Sequence, residues 1–173
     1  MKKLLVFPFA VILILSLNLY SQNPDNSARG CVTEEGKQLN FLIGSWKVKG
    51  KNRLRGSDKW EEYVGSSKIK FVYDQCLAAE KLLIKREGRP LTITALYSYN
   101  NIAKKYQWVF AHSEHGLLSM YEGPLENNKF AFSYAFEIGE RRIMFKRELT
   151  RLTSGFEMVA SRSTDGGTTW RIE

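Results

Sequence analysis

The sequence predicts an all-β fold, a single antiparallel up-and-down β-barrel of eight to ten strands. Three observations carry that prediction. From Trp46 onward, apolar and polar residues alternate at period two in nine runs: 46–55, 59–73, 76–87, 91–99, 104–112, 117–123, 129–138, 141–150 and 155–162. Turn formers separate them: Gly56-Ser57-Asp58, Gly88-Arg89-Pro90, Asn100-Asn101, Glu114-His115-Gly116, Asn127-Asn128, Gly139 and Ser154-Gly155. No helical period competes, and every connection is too short for a crossover, so each strand pairs with the next and the meander can close into a tube.

The elements follow in chain order. Residues 1–21, MKKLLVFPFAVILILSLNLYS, have a positive start at Lys2 and Lys3, an apolar stretch and a small residue, Ser21, at a cleavage point. That is the make-up of a bacterial secretory signal peptide. The apolar run is shorter than the about 20 residues a spanning helix needs, and it contains Pro8. Cleavage near Ser21 leaves 152 residues (173 less 21), one domain, in the periplasm or outside the cell. Residues 22–33, QNPDNSARGCVT, form a flexible arm with little to bury, and residues 34–173 form the barrel. The segment EEGKQLNFLIGSW has room for one helical turn before the first strand.

Cys31 and Cys76 are an even count in an oxidising compartment, which suggests a disulfide. A bond closing that loop stabilises by roughly 4 kcal/mol in the chain-entropy treatment. Two free thiols are the other reading, since spacing alone gives no distance.

Parity sorts the faces. One face collects Tyr97, Trp108, Phe110, His112, Phe132, Tyr134, Phe145 and Arg147, so the inside of the tube is aromatic with a few polar tips. A barrel of about eight strands is just wide enough for one small ligand, and aromatic walls with few polar groups suit such a pocket. Tyr97, Trp108, Phe110, Phe132, Tyr134 and Phe145 are the candidate walls, and His112 and Arg147 the candidate polar anchors. The competing reading is a solid core.

Phe41-x-x-Gly44-x-Trp46-Lys47 opens the first strand. This stretch resembles the start of the calycin superfamily, the lipocalins and fatty-acid-binding proteins. The resemblance implies that Gly44 and Trp46 lie at the closed end of the barrel, with the indole as a plug. It also implies an arginine from a late strand across that ring, Arg147 first and Arg151 second. Three pieces, Phe41 to Trp46, Cys76 to Ala78 and Ser163 to Trp170, make nearly the whole mature chain similar to a family of small secreted bacterial proteins of unknown function. The chain has no helical lid of the fatty-acid-binding kind after its first strand. It has no histidine beyond His115, so the iron ligand of related haem-binding barrels is missing and no cofactor is expected.

Ser163-x-Asp165-x-Gly167-x-Thr169-Trp170 resembles the Asp box of β-propeller glycosidases. It occurs once, and the chain is too short for propeller blades of about 40 residues each. The expectation is a structural hairpin turn, with Asp165 accepting backbone N–H groups and Trp170 tucked beneath.

Other chemistry is sparse. His112, Glu114 and His115 could approach a metal, but they straddle a strand end and a turn, with no third ligand fixed, so no metal is expected. There is no Gly-x-Ser-x-Gly elbow and no phosphate-binding glycine motif. Convergence of Tyr97, Tyr134, His112 and Arg147 in the lumen would give a second reading, a lyase or isomerase acting on a phenolic or cyclic substrate. The net charge is +8, about +6 after loss of Lys2 and Lys3 (8 less 2). In KVKGKNRLR, Lys47, Lys49, Lys51, Arg53 and Arg55 fall on one strand face about 7 Å apart. This strip guards a sheet edge, or it meets an anionic envelope surface such as lipid headgroups or acidic polysaccharide. An exported chain without aromatics interleaved in that strip does not point to nucleic acid. The leading expectation is a secreted binding protein that holds a small apolar or aromatic molecule in its lumen.

Overall fold

The structure, a computed structural model, describes residues 30–54, 56–86, 88–114 and 116–173. The signal-peptide expectation, most of the arm, Arg55 and His115 lie outside the described residues. Among the described residues no helix is long and apolar enough to cross a membrane.

The chain is an all-β, antiparallel meander wound into a nearly closed, calycin-like barrel. Its strands are β1 (Gly44–Arg53), β2 (Trp60–Val72), β3 (Leu77–Arg86), β4 (Arg89–Asn100), β5 (Lys105–His112), β6 (Ser119–Gly123), β7 (Leu125–Glu126), β8 (Lys129–Ile138), β9 (Arg141–Leu152), β10 (Gly155–Ser163) and β11 (Arg171–Ile172). Hydrogen bonds run in the order β1-β2-β3-β4-β5-β6-β8-β9-β10-β11, with β7 paired to β8. The nine expected runs are the nine longer strands. The two-residue strands β7 and β11 were not expected, since two residues carry no periodicity.

The seam is made by side chains. Counted along the meander, β1 and β10 run in the same direction, and β11 lies between their ends. Arg53 Nε donates to the Ile172 carbonyl at 3.3 Å, and Arg53 and Arg171 both meet Asp58 Oδ1, at 2.8 and 2.9 Å. Arg53 therefore locks the barrel from the end of the expected strip, where its guanidinium also lies 4.8 Å over the Trp60 ring.

The opposite end is plugged. A short helix α1 (Glu34–Lys37), N-capped by Thr33, and a 3-10 turn (Asn40–Leu42) fold into the barrel bottom. Leu42 is fully buried there, and the Tyr106 hydroxyl donates to the Glu35 carbonyl at 2.9 Å. Cys31 and Cys76 form a disulfide that ties this plug to the β2–β3 turn.

Trp46 sits at the closed end as expected. Its indole N–H donates to the Leu42 carbonyl at 2.8 Å and its ring meets Phe156 edge-on, with centroids 5.4 Å apart. Gly44 has φ +152°, a backbone angle that favours glycine, and it lies against the indole ring. The expected arginine across Trp46 is corrected. Arg147 lies over Tyr121 at 5.5 Å and Arg151 over Phe41 at 5.6 Å. Parity gives the face but not the height, and Arg147 stands further up β9 than the level of the indole.

The Asp-box turn joins β10 to β11. Ser163 is buried, and its hydroxyl accepts from the Gly167 N–H at 2.8 Å while donating to Asp165 Oδ1 at 2.7 Å. Asp165 also takes the Thr169 N–H and hydroxyl, the latter at 2.6 Å. Trp170 is not tucked beneath: it is 41% exposed, and its N–H clips the Gly167 carbonyl at 3.0 Å. Hydrogen bonds from Thr169 and then Ser163 hold the Asp165 carboxyl at about 2, against an ordinary 3.8. A depressed carboxyl contributes stability that is present above the unfolded value and lost as pH falls through the folded one. Fraying of the β10–β11 hairpin is therefore expected between pH 4 and 2, and Asp165→Asn removes the acid dependence. Amide exchange at Thr169 against pH is the check.

Candidate ligand site in the lumen

Register places the inward residues in layers above the plug. Tyr97 faces Trp108, Ala95 faces Phe110 and Ile93 faces His112 across β4–β5. Phe132 faces Arg147 and Tyr134 faces Phe145 across β8–β9. All eight residues expected to line or anchor a ligand thus point to one interior.

They do not share one environment. Tyr97, Trp108 and Phe132 are 1%, 6% and 0% exposed. They form a closed floor, not a wall. Phe110, His112, Tyr134, Phe145 and Arg147 are half-buried above that floor. Their rings continue upward as a column: Tyr97 to Trp108 at 6.2 Å, Trp108 to Phe110 at 4.6 Å and Phe110 to His112 at 6.2 Å, all within 24° of parallel. Across the lumen Tyr121 meets Tyr134 at 5.5 Å, Tyr134 meets Phe136 at 5.8 Å and Phe136 stacks on Phe145 at 5.9 Å. A depression of about 350 Å³ lies at the rim, where Phe136 is its one inward residue and Ala135, Glu137 and Arg142, at outward positions of β8 and β9, complete its lining. That volume is at the low end of small-molecule sites.

Polar groups reach this half of the tube from β9 and β10. The Arg147 guanidinium lies over Tyr121 at 5.5 Å and Phe145 at 6.0 Å, and the Arg162 guanidinium lies over Phe145 at 5.7 Å. Cation–π contacts of this kind are worth about 0.5–2 kcal/mol, more when dry. Burial raises the Tyr121 phenol, the Arg147 charge pulls it back and the Glu173 carboxylate raises it further. Glu173 donates its N–H to the Ala160 carbonyl, so the mouth also has an acid nearby.

The most polar feature of the interior is a residue outside the expected set. Glu80 on β3, 8% exposed, accepts from the Ser67 hydroxyl at 2.5 Å and from the Tyr97 hydroxyl at 2.6 Å. Burial, then the Glu80 charge and its hydrogen bond, push the Tyr97 phenol well above its ordinary range. The nearby Trp108 indole N–H pulls the other way, but it reaches no acceptor at hydrogen-bond geometry. The signal is in the sequence, since Glu80 shares parity with Ala78, Leu82 and Ile84, with Arg86 the one other charge on that side at the strand's end. Among the described residues no three His, Cys, Asp or Glu side chains stand close enough to hold a metal. No protein-family model matches the chain, and neither does any curated protein.

Proposed function

We propose that this chain is an exported binding protein that holds a small apolar or aromatic molecule in the upper half of its barrel, over the floor of Tyr97, Trp108 and Phe132. One observation supports it above the rest. Phe110, Tyr134, Phe136 and Phe145 point into the tube yet stay partly exposed. Apolar rings wetted inside a tube gain free energy when a ligand displaces that water. His112 and Arg147 at the same level are the polar anchors. The disulfide suits an oxidising compartment, in keeping with export.

A thermal-shift screen of fatty acids, hydrophobic metabolites and haem tests this reading. A ligand at about one hundred times its Kd raises Tm by roughly 5–10 °C. Phe145→Ala is expected to weaken that ligand about tenfold while the floor stays folded. Absence of any stabilisation across the screen would remove the proposal.

A second reading, proton-transfer catalysis on a cyclic or phenolic substrate, draws on the 2.6 Å contact of Tyr97 with Glu80. Tyr97 and Glu80 are 1% and 8% exposed and are already spent on each other, so that reading ranks behind binding.

A further inference from the structure

The lysines expected along β1 belong to a wider surface. Register aligns the outward residues of β1, β2 and β3 in rows: Ser45, Lys68 and Lys81; then Lys47, Ser66 and Leu83; then Lys49 beside Val64; then Lys51 beside Glu62. Lys70 and Lys85 continue β2 and β3. Seven exposed lysines thus ring a small centre of Val64, Ser66 and Leu83, and Glu62 is the one carboxylate in those rows. Val64 is 65% and Leu83 45% exposed. Trp60 lies at the end of the same face, 38% exposed and 5.1 Å beneath the Lys51 ammonium.

Two features set this face apart from ordinary solvated charge. Lys68 and Lys81 are direct cross-strand partners on one face, a like-charge pairing that destabilises a sheet. None of the seven lysines is in an ion pair with another described residue, whereas on β8 and β9 Lys129 and Lys146 both meet Glu148, at 3.3 and 3.2 Å. Charge held against its own repulsion, around exposed aliphatic side chains, complements a surface that is anionic above and apolar beneath.

We propose that the outer face of β1–β3 docks on an anionic lipid bilayer, the lysines meeting headgroup phosphates while Val64, Leu83 and Trp60 enter the interfacial region. This surface is separate from the lumen and does not depend on what the lumen holds. Acidic polysaccharide could satisfy the lysines but would leave Val64 and Leu83 unused, so the bilayer is the better fit.

Co-sedimentation of the mature chain with vesicles of phosphatidylglycerol and phosphatidylcholine in equal parts, and with phosphatidylcholine alone, tests the proposal. Binding is expected only to the anionic vesicles and is expected to weaken with added salt. Each lysine near such a surface contributes about fivefold in affinity, so Lys81→Glu, which reverses a charge, costs about 25-fold. The same substitution pairs with Lys68 and raises Tm, which separates docking from folding. Lys104→Glu makes an identical net-charge change in the β4–β5 turn and leaves binding within about twofold. The proposal is overturned if the wild-type chain ignores anionic vesicles, if it binds soluble alginate but no vesicle, or if Lys81→Glu and Lys104→Glu weaken binding alike.

Discussion

Replacing Glu80 with Ala is expected to cost about 3–4 kcal/mol of stability and to lower Tm by roughly 10 °C. The buried carboxylate is the acceptor for two hydroxyls from neighbouring strands, Ser67 on β2 and Tyr97 on β4. Its loss strands both donors where no water reaches, since Ser67 is 3% and Tyr97 1% exposed. It also leaves a cavity beside the Tyr97 hydroxyl. Both terms act in the same direction, and neither is screened at the surface. Glu80→Gln keeps the shape and one acceptor, so its expected cost is about 1–2 kcal/mol. Urea unfolding of the two variants beside wild type is the check. Equal stability of all three would mean that the Ser67–Glu80–Tyr97 bonds do not hold β2, β3 and β4 together.

The second large effect belongs to the disulfide. Its partners are 45 residues apart, and loop-closure entropy gives about 4 kcal/mol for that span. Cys31 carries the plug, and Cys76 ends a turn in which Tyr73, Asp74 and Gln75 all have positive φ, at 50°, 55° and 73°. Such angles cost free energy in residues with a Cβ, and the cross-link helps to over-determine them. A Cys31→Ala/Cys76→Ala double variant, or reduction of wild type, is expected to lower Tm by roughly 10 °C. The loss should fall first on the plug, exposing Phe41 and Leu42, while the β8–β9 hairpin is protected longest. Hydrogen exchange with and without reductant reads both the size and the order.

Most of the barrel was legible because period-two alternation is a backbone property, readable wherever one face is buried. It located nine strands, the inward set and most turns, but not the β2–β3 turn, where Tyr73, Asp74 and Gln75 take positive φ without a glycine. It located neither β7 nor β11, and β11 decides how the tube closes through Arg53 and Asp58. Alternation also says which side a residue faces, not how high it stands. Alternation therefore gives Tyr97, Trp108 and Phe132 the same standing as Phe110 and Phe145, although the first three are sealed and the others are partly exposed. The same blindness to height put Arg147 over Trp46 instead of Tyr121. Glu80 stands beside no histidine and no turn, so neither of those motifs points to it. A carboxylate at core parity between Ala78 and Leu82 is a stronger signal, since an acid is buried only when donors await it. The breadth of the lysine face was hidden for a different reason: Lys68 and Lys81 become neighbours only through the β2–β3 register.

Aromatic side-chain NMR during titration with a small hydrophobic anion such as 1-anilinonaphthalene-8-sulfonate asks the most direct question of the barrel. Shifts confined to Phe110, His112, Tyr134, Phe136 and Phe145 are expected, saturating at a single stoichiometry, with Phe41, Tyr106 and Phe130 at the plugged end unmoved. Saturable shifts at the plug or on the outer strand faces, with the mouth residues silent, would contradict it.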